Sequence, residues 1–304
     1  MKILVIGGGG QLGSKLIEQA KDKHEVYATY VTRPPKLDSA KIYKLDKTDY
    51  IEVEKVFEKV KPELVVDTAA LHNVDYCETH KDEAWKINVE GTRNIAKECR
   101  KYNAKLVFIS TDFVFDGKKG NYSEEDQPNP INYYGITKLE AEKTVNQTCE
   151  NHVIVRPSVI YSWISEAQAT SISGKPLNFA MWLIQKLLNN EEVNIVTDQY
   201  TSPTLADHLA ETILKLGEQD KVGVYHVAGK NRLNRYEFSV KLAEKLSLNK
   251  DLIKPITSDK LKQIAKRPKD SSLNVSKVEK ELGLKMLTID EALDMFSRKF
   301  KVTG

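Results

Sequence analysis

The chain has 304 residues, 40% hydrophobic and 29% charged, with 46 Lys plus Arg against 43 Asp plus Glu. That length buries a substantial core in one large domain or in two lobes sharing a cleft, and neither sign of charge gathers into the long block that would point to nucleic acid. No apolar run approaches the roughly 18 residues a bilayer span needs, and MKILVI passes straight into glycines without a leader-like apolar region. Cys77, Cys99 and Cys149 are too few and too far apart for a disulfide framework or a CxxC motif. A soluble, cytoplasmic protein with reduced cysteines is expected, with no membrane and no nucleic-acid partner. Basic residues thicken between Lys241 and Lys269, which reads either as a solvated helix face or as a lip for an anionic ligand.

In chain order, KILVIG reads as a buried strand, followed by a helix over 11–20 and a second strand, EVYATY. A helix near 50–60 leads into ELVVDTAA, and a long helix near 81–102 leads into AKLVFIST. A loop rich in Gly, Pro, Asn and Asp runs to Asn132, a helix covers 134–148, and NHVIVRPSVIY supplies a further strand. Strands alternating with helices predict βαβ units, hence an α/β fold with a doubly wound parallel sheet of Rossmann type. After Tyr161 the pattern loosens. SWISEAQATSISGKP has no clear period and reads as a flap, ahead of a helix over 178–189 and a short strand at VNIVTD. GVYHVAG at Gly223 resembles one more sheet strand. The expected organisation is one domain over 1–160, with a return strand near 222–229, and a smaller mixed lobe over 161–304, interleaved with the first.

Gly7, Gly10 and Gly13 follow the first strand and open the first helix. Glycine there lets the chain turn tightly, brings a pyrophosphate close to main-chain N–H groups, and lets helix and strand pack closely at a helix N-terminus that favours an anion. Strand before and helix after are the context this motif requires, so 1–160 is expected to bind a dinucleotide. The second strand ends in Ala28 to Arg33, without the acidic residue that would grip both ribose hydroxyls of NAD. A guanidinium can pair with a 2′-phosphate, so Arg33 favours NADP(H), with NAD(H) left open. Arg33 equally suits a solvated loop ahead of Pro34-Pro35.

Tyr134 and Lys138 stand four residues apart on a helix, one turn from each other on one face. A nearby ammonium would lower the phenol's pKa and allow Tyr134 to give a proton to a carbonyl oxygen as hydride arrives; Lys138 can also hold the nicotinamide ribose. Upstream, Ser110-Thr111-Asp112 ends a strand at the edge where open parallel sheets bind ligands, and Thr111 could hydrogen-bond the same oxygen. Alone, a Tyr-Lys pair reads as amphipathic surface and a Ser-Thr pair as a strand end; their convergence with the glycine loop points to a dehydrogenase.

With these residues in view, the chain resembles the dTDP-4-dehydrorhamnose reductase family within the extended short-chain dehydrogenases. The resemblance rests on GGGGQLG, VVDTAALHNVDYCE, NVEGTRNIA, STDFVFDG and NPINYYGITKLEAE, and more specifically on DQYTSPT, GVYHVAG and RPKDSSLN. It implies Thr111, Tyr134 and Lys138 as the catalytic residues, and Gln11, Leu12, Ala69 and Ala70 as further cofactor contacts. It also implies reduction of the C4 ketone of a dTDP-linked 6-deoxy sugar, with Asp112, Asn178 and Arg267 as candidate substrate contacts; a homodimer is left open. Phe113 stands where the family usually has Tyr, Val159 where some members have Trp, and Lys15 where certain members use Glu to hold a magnesium ion, so no metal site is expected. The regulatory beta subunit of methionine adenosyltransferase resembles the same family and is the alternative from another class. A nucleotide-sugar epimerase or dehydratase is a third, although a dehydratase would be expected to carry Asp-Glu where this chain has Asp112-Phe113.

Overall fold

A computed structural model describes residues 1–35, 39–163 and 178–303. The first six strands are β1 (Lys2–Ile6), β2 (Glu25–Tyr30), β3 (Lys41–Lys44), β4 (Leu64–Asp67), β5 (Lys105–Ile109) and β6 (His152–Arg156). Short strands β7 (Ile160–Tyr161), β8 (Val193–Val196), β9 (Tyr200–Thr201) and β10 (Thr204–Leu205) follow, then β11 (Gly223–His226), β12 (Leu233–Asn234) and β13 (Ile253–Ile256). The main sheet has the order β11-β6-β5-β4-β1-β2-β3 with every pair parallel. This is the doubly wound, Rossmann-type α/β fold that the strand–helix alternation predicts.

Alternation inside each strand feeds two cores. Ile3 and Val5 of β1 face one cluster with Leu12, Leu16, Leu209 and Ile213. Leu4 and Ile6 face the other, with Val53, Phe57, Ile95, Ala141 and Val145. Strands covered by helices on both sides must be apolar on both sides, which is why KILVI and KLVFI read as near-continuous hydrophobic runs. A third cluster, around Leu183, Ile195, Phe238 and Leu293, belongs to the smaller lobe.

Three details refine the sequence reading. The segment over 81–102 is not one regular helix: Lys81–Trp85 passes through a π-helical turn at Lys86–Glu90 before Gly91–Tyr102 continues. The turn carries Asn88, which is fully buried and points inward. β11 pairs with β6, and the helices Ala206–Glu218 and Ser276–Leu282 pack on the main sheet's core through Leu209, Ile213 and Val278. The larger lobe therefore draws more of the chain's second half than the return strand alone. The expected flap over 162–176 falls, apart from Ser162 and Trp163, outside the described residues.

Candidate active site

The sheet reverses its winding between β1 and β4, and the crevice outside their carboxyl ends is where such sheets hold ligands. Gly7 follows β1 with φ of +83°, and a Cβ there would stand 3.0 Å from Thr68 Oγ1. A Cβ on Gly13 would lie 2.4 Å from the Gly7 carbonyl oxygen, so the Gln11–Ala20 helix can meet the turn only because residue 13 has no side chain. Gly10 is the helix N-cap and offers no side chain to its free N–H groups. Among the described residues, the N–H groups of Gln11, Leu12 and Gly13 meet no backbone acceptor, while Ser14 bonds back to Gly10. Among the described residues the buried Gln11 amide nitrogen has no partner either. Buried, unpaired donors at the positive end of a helix dipole suit a pyrophosphate.

Beside this turn lies a cavity of about 390 Å³, lined by Gly7, Tyr30, Val31, Ala69, Ala70 and Lys86, among others. Its floor is held by a buried ion pair missed in the sequence: Lys47 Nζ reaches Asp67 at 2.9 Å and the Ala69 carbonyl at 2.6 Å. Arg33 sits on the exposed turn two residues beyond Val31, outside that lining. Lys86, exposed on the π-helical turn, is a second cation at this cavity.

The helix Tyr133–Thr148, which carries Tyr134 and Lys138, is capped by Asn132, whose Oδ1 accepts the Gly135 N–H at 2.8 Å. A Cβ on Gly135 would fall 2.2 Å from the Phe113 carbonyl oxygen; glycine lets the helix start press against the turn after β5. Tyr134 and Thr111 are thereby brought together, with the Phe113 ring edge-on to Tyr134 at 6.2 Å. Asn88 steadies the arrangement from the π-helical turn. Its side chain bonds both backbone groups of Leu71, at 2.8 and 3.1 Å, and donates to Thr137 Oγ1 at 3.0 Å, one turn from Tyr134. A π-helical turn at a functional helix is a recurrent device for re-aiming one residue, but a single Asn in a helical run gives no local sign of it.

The electrostatics differ from the sequence expectation in one respect. Burial, not Lys138, dominates Tyr134: it pushes the phenol well above its ordinary value, opposed by the Thr111 hydroxyl. The phenol therefore keeps its proton, as a proton donor must. Lys138 is itself driven down to about 7, first by burial and then by the charge of Lys47, against the pull of Asp67 and Glu142. Its ammonium lies 4.0 Å from the Phe108 ring centroid and has no hydrogen-bond acceptor among the described residues. These unsatisfied groups, with the helix N-terminus and the glycine cradle, fit a nicotinamide dinucleotide.

The candidate substrate residues divide. Arg267 lines a second cavity, of about 570 Å³, together with Phe113, Phe179, Trp182, Gln199 and Arg235. Asp112 does not line it: its buried carboxylate accepts from Thr111, Ser158 and Ser271 at 3.1, 2.8 and 2.6 Å. Asn178 does not line it either. Its Oδ1 caps the Phe179–Leu188 helix by accepting the Met181 N–H at 3.0 Å, and its amide donates to the Ser162 carbonyl. Arg235 and Trp182 went unread in the sequence. Arg235 is held 4.9 Å from the Phe179 ring centroid, and burial brings its pKa down to about 10. Lys15 is paired with Glu18 and Asp207, at 3.2 and 3.5 Å.

A family model described as the RmlD substrate binding domain matches residues 1–302. The chain belongs to that family. It is an oxidoreductase, similar to the dTDP-4-dehydrorhamnose reductases. A dTDP-4-dehydrorhamnose reductase from Bacillus anthracis, solved in complex with NADP, superimposes with a TM-score of 0.84 at 29% identity, over 98% of this chain and 99% of that one. A probable low-salt glycan biosynthesis reductase from Haloferax volcanii is 30% identical over 99% of this chain and 98% of its own length. The methionine adenosyltransferase 2 subunit beta of Bos taurus is 28% identical over 91% of this chain and 81% of its own length. Among the described residues no helix is long and apolar enough to cross a membrane.

Proposed function

We propose that this oxidoreductase uses NADPH to reduce the C4 ketone of dTDP-4-dehydro-6-deoxy-L-mannose, giving dTDP-L-rhamnose in the cytoplasm. The observation that carries this reading is the second cavity: two guanidiniums, Arg235 and Arg267, share it with an aromatic wall of Phe179 and Trp182, and it reaches Phe113 beside Tyr134. Cations suit a diphosphate and aromatic rings suit a base or sugar face. The NADP found with the Bacillus anthracis enzyme and Arg33 beyond β2 support NADPH over NADH.

Gln11, the free N–H groups of Gln11 to Gly13, and Lys138 would hold the dinucleotide, which supplies the hydride. The chain's own residues do the rest. Tyr134 donates its phenolic proton to the oxygen at C4 as that carbon gains hydride, so the ketone becomes a secondary alcohol. Thr111 orients the oxygen by hydrogen bonding, turning from its 3.1 Å contact with Asp112. Lys138, whose ammonium burial and Lys47 make a readier proton donor, restores the proton to the phenolate.

The test follows reduced-nicotinamide absorbance with and without enzymatically generated keto-sugar. Sugar-dependent loss is expected, together with at least a ~1,000-fold fall in kcat for Tyr134→Phe, as removal of a general acid produces. NADPH binding without sugar-dependent turnover would favour the other reading, a regulatory subunit like the methionine adenosyltransferase beta chain. Unchanged turnover in Tyr134→Phe would overturn the mechanism.

A further inference from the structure

The helix Val74–Thr79 stands at the mouth of the larger cavity, with Val74 in its lining. Its two inner carboxylates reach in different directions. Glu78 accepts the Tyr133 N–H at 2.7 Å, at the start of the helix that carries Tyr134. Asp75 accepts the Ala265 N–H at 2.9 Å and also binds the Arg267 guanidinium. Leu261, Gln263, Arg267, Pro268 and Ser271 form one wall of the cavity, so a single carboxylate holds both the backbone and the cation of that wall. Asn132 grips the same wall at the Lys266 carbonyl, 2.9 Å away. Two exposures matter: the Arg267 side chain is 15% exposed and that of Asp75 is 36% exposed. A carboxylate already partly in water is readily hydrated when its partner leaves, whereas a mostly buried guanidinium needs an anion at all times.

We propose that Asp75 competes with the diphosphate of the nucleotide sugar for Arg267, acting as an internal counter-ion that sets how much negative charge a ligand must bring. The inference rests on the reading of this cavity as a nucleotide-sugar site. A ligand with a single charge merely replaces Asp75 at Arg267 and gains nothing from the exchange. A diphosphate satisfies Arg267 and brings a second charge to Arg235, so it displaces the carboxylate with a net gain. Asp75 is thus a specificity residue that touches no reacting atom.

Calorimetric titration of NADP-loaded wild type and Asp75→Asn with dTDP and with UDP tests this. Asn retains an acceptor for the Ala265 N–H, so the wall keeps its backbone anchor. Asp75→Asn is expected to bind the diphosphate on the order of five- to tenfold more tightly, with NADP affinity unchanged. If wild type binds a diphosphate and the variant binds it equally or more weakly, Asp75 supports Arg267 and the competition is wrong, while the cavity's assignment stands. An equal gain for NADP would reduce the effect to general charge and also overturn it. Wild type that binds neither nucleotide overturns the nucleotide-sugar reading itself, and this inference with it.

Discussion

The dinucleotide cradle takes Gly7, Gly10, Gln11 and Gly13 from a single turn between β1 and its helix, and works through backbone N–H groups and missing side chains. The larger cavity takes Phe113, Phe179, Trp182, Gln199, Arg235 and Arg267 from five separate stretches of both lobes, and works through charged and aromatic side chains. One is a local device, intolerant of an added side chain at Gly7 and Gly13. The other is assembled at long range from side chains that only the fold brings together. Phe113 of the larger cavity stands edge-on to Tyr134, and Lys47 of the smaller one acts on Lys138.

The most severe way to break this contrast is Gly13→Val. Its first carbon would lie 2.4 Å from the Gly7 oxygen and 2.9 Å from Gly8 Cα, so the turn must open. NADPH affinity should fall at least ~100-fold, with a stability loss of about 1–3 kcal/mol as for other overpacked sites, checked by fluorescence titration and urea unfolding. Arg235→Ala should produce a smaller and opposite pattern. KM for the keto-sugar should rise about 30-fold, the effect of losing ~2 kcal/mol at a buried anchor, while the Kd for NADPH stays put. A matched rise in both constants would show that cradle and cavity are not separable.

The smallest effect sharpens the border between them. Burial lowers Lys138 from 10.5 in an open chain to about 7 in the fold. Between those values the unfolded chain holds the proton and the folded chain does not, so the burial cost is present below about pH 7 and is relieved as pH rises towards 10.5. Wild type should therefore gain stability relative to Lys138→Met between pH 6.5 and 9, by roughly 1 kcal/mol or more, in paired urea titrations. A flat difference would mean that the ammonium is solvated and not seated over Phe108.

Legibility in the sequence followed the range of the physics. Gly7 to Gly13, the alternating strands, and Tyr134 with Lys138 one turn apart were all visible, because each depends on neighbours within a few residues. Asp112 and Asn178 were candidate substrate contacts on the family resemblance, with a structural role equally open, because polar residues near a site look alike in sequence. Packing instead turned Asp112 towards three hydroxyls and made Asn178 a helix cap. Arg235 was invisible for the converse reason: it opens an ordinary amphipathic helix behind a capping box, and only the approach of the Phe179 helix and the 261–271 wall gives it a cavity to face.

The sequence by itself determined the sheet, the glycine turn and the one-turn spacing of Tyr134 and Lys138, since periodicity, turn geometry and helical spacing are local constraints that survive in any tertiary setting. The tertiary structure decided which side chains line the larger cavity, that Asn88 would leave a regular helix to hold Leu71, and that Asp75 would face Arg267 across 192 residues of chain. Those choices depend on strand order and on the closing of one lobe over the other, and a linear pattern carries no record of either until the chain has folded.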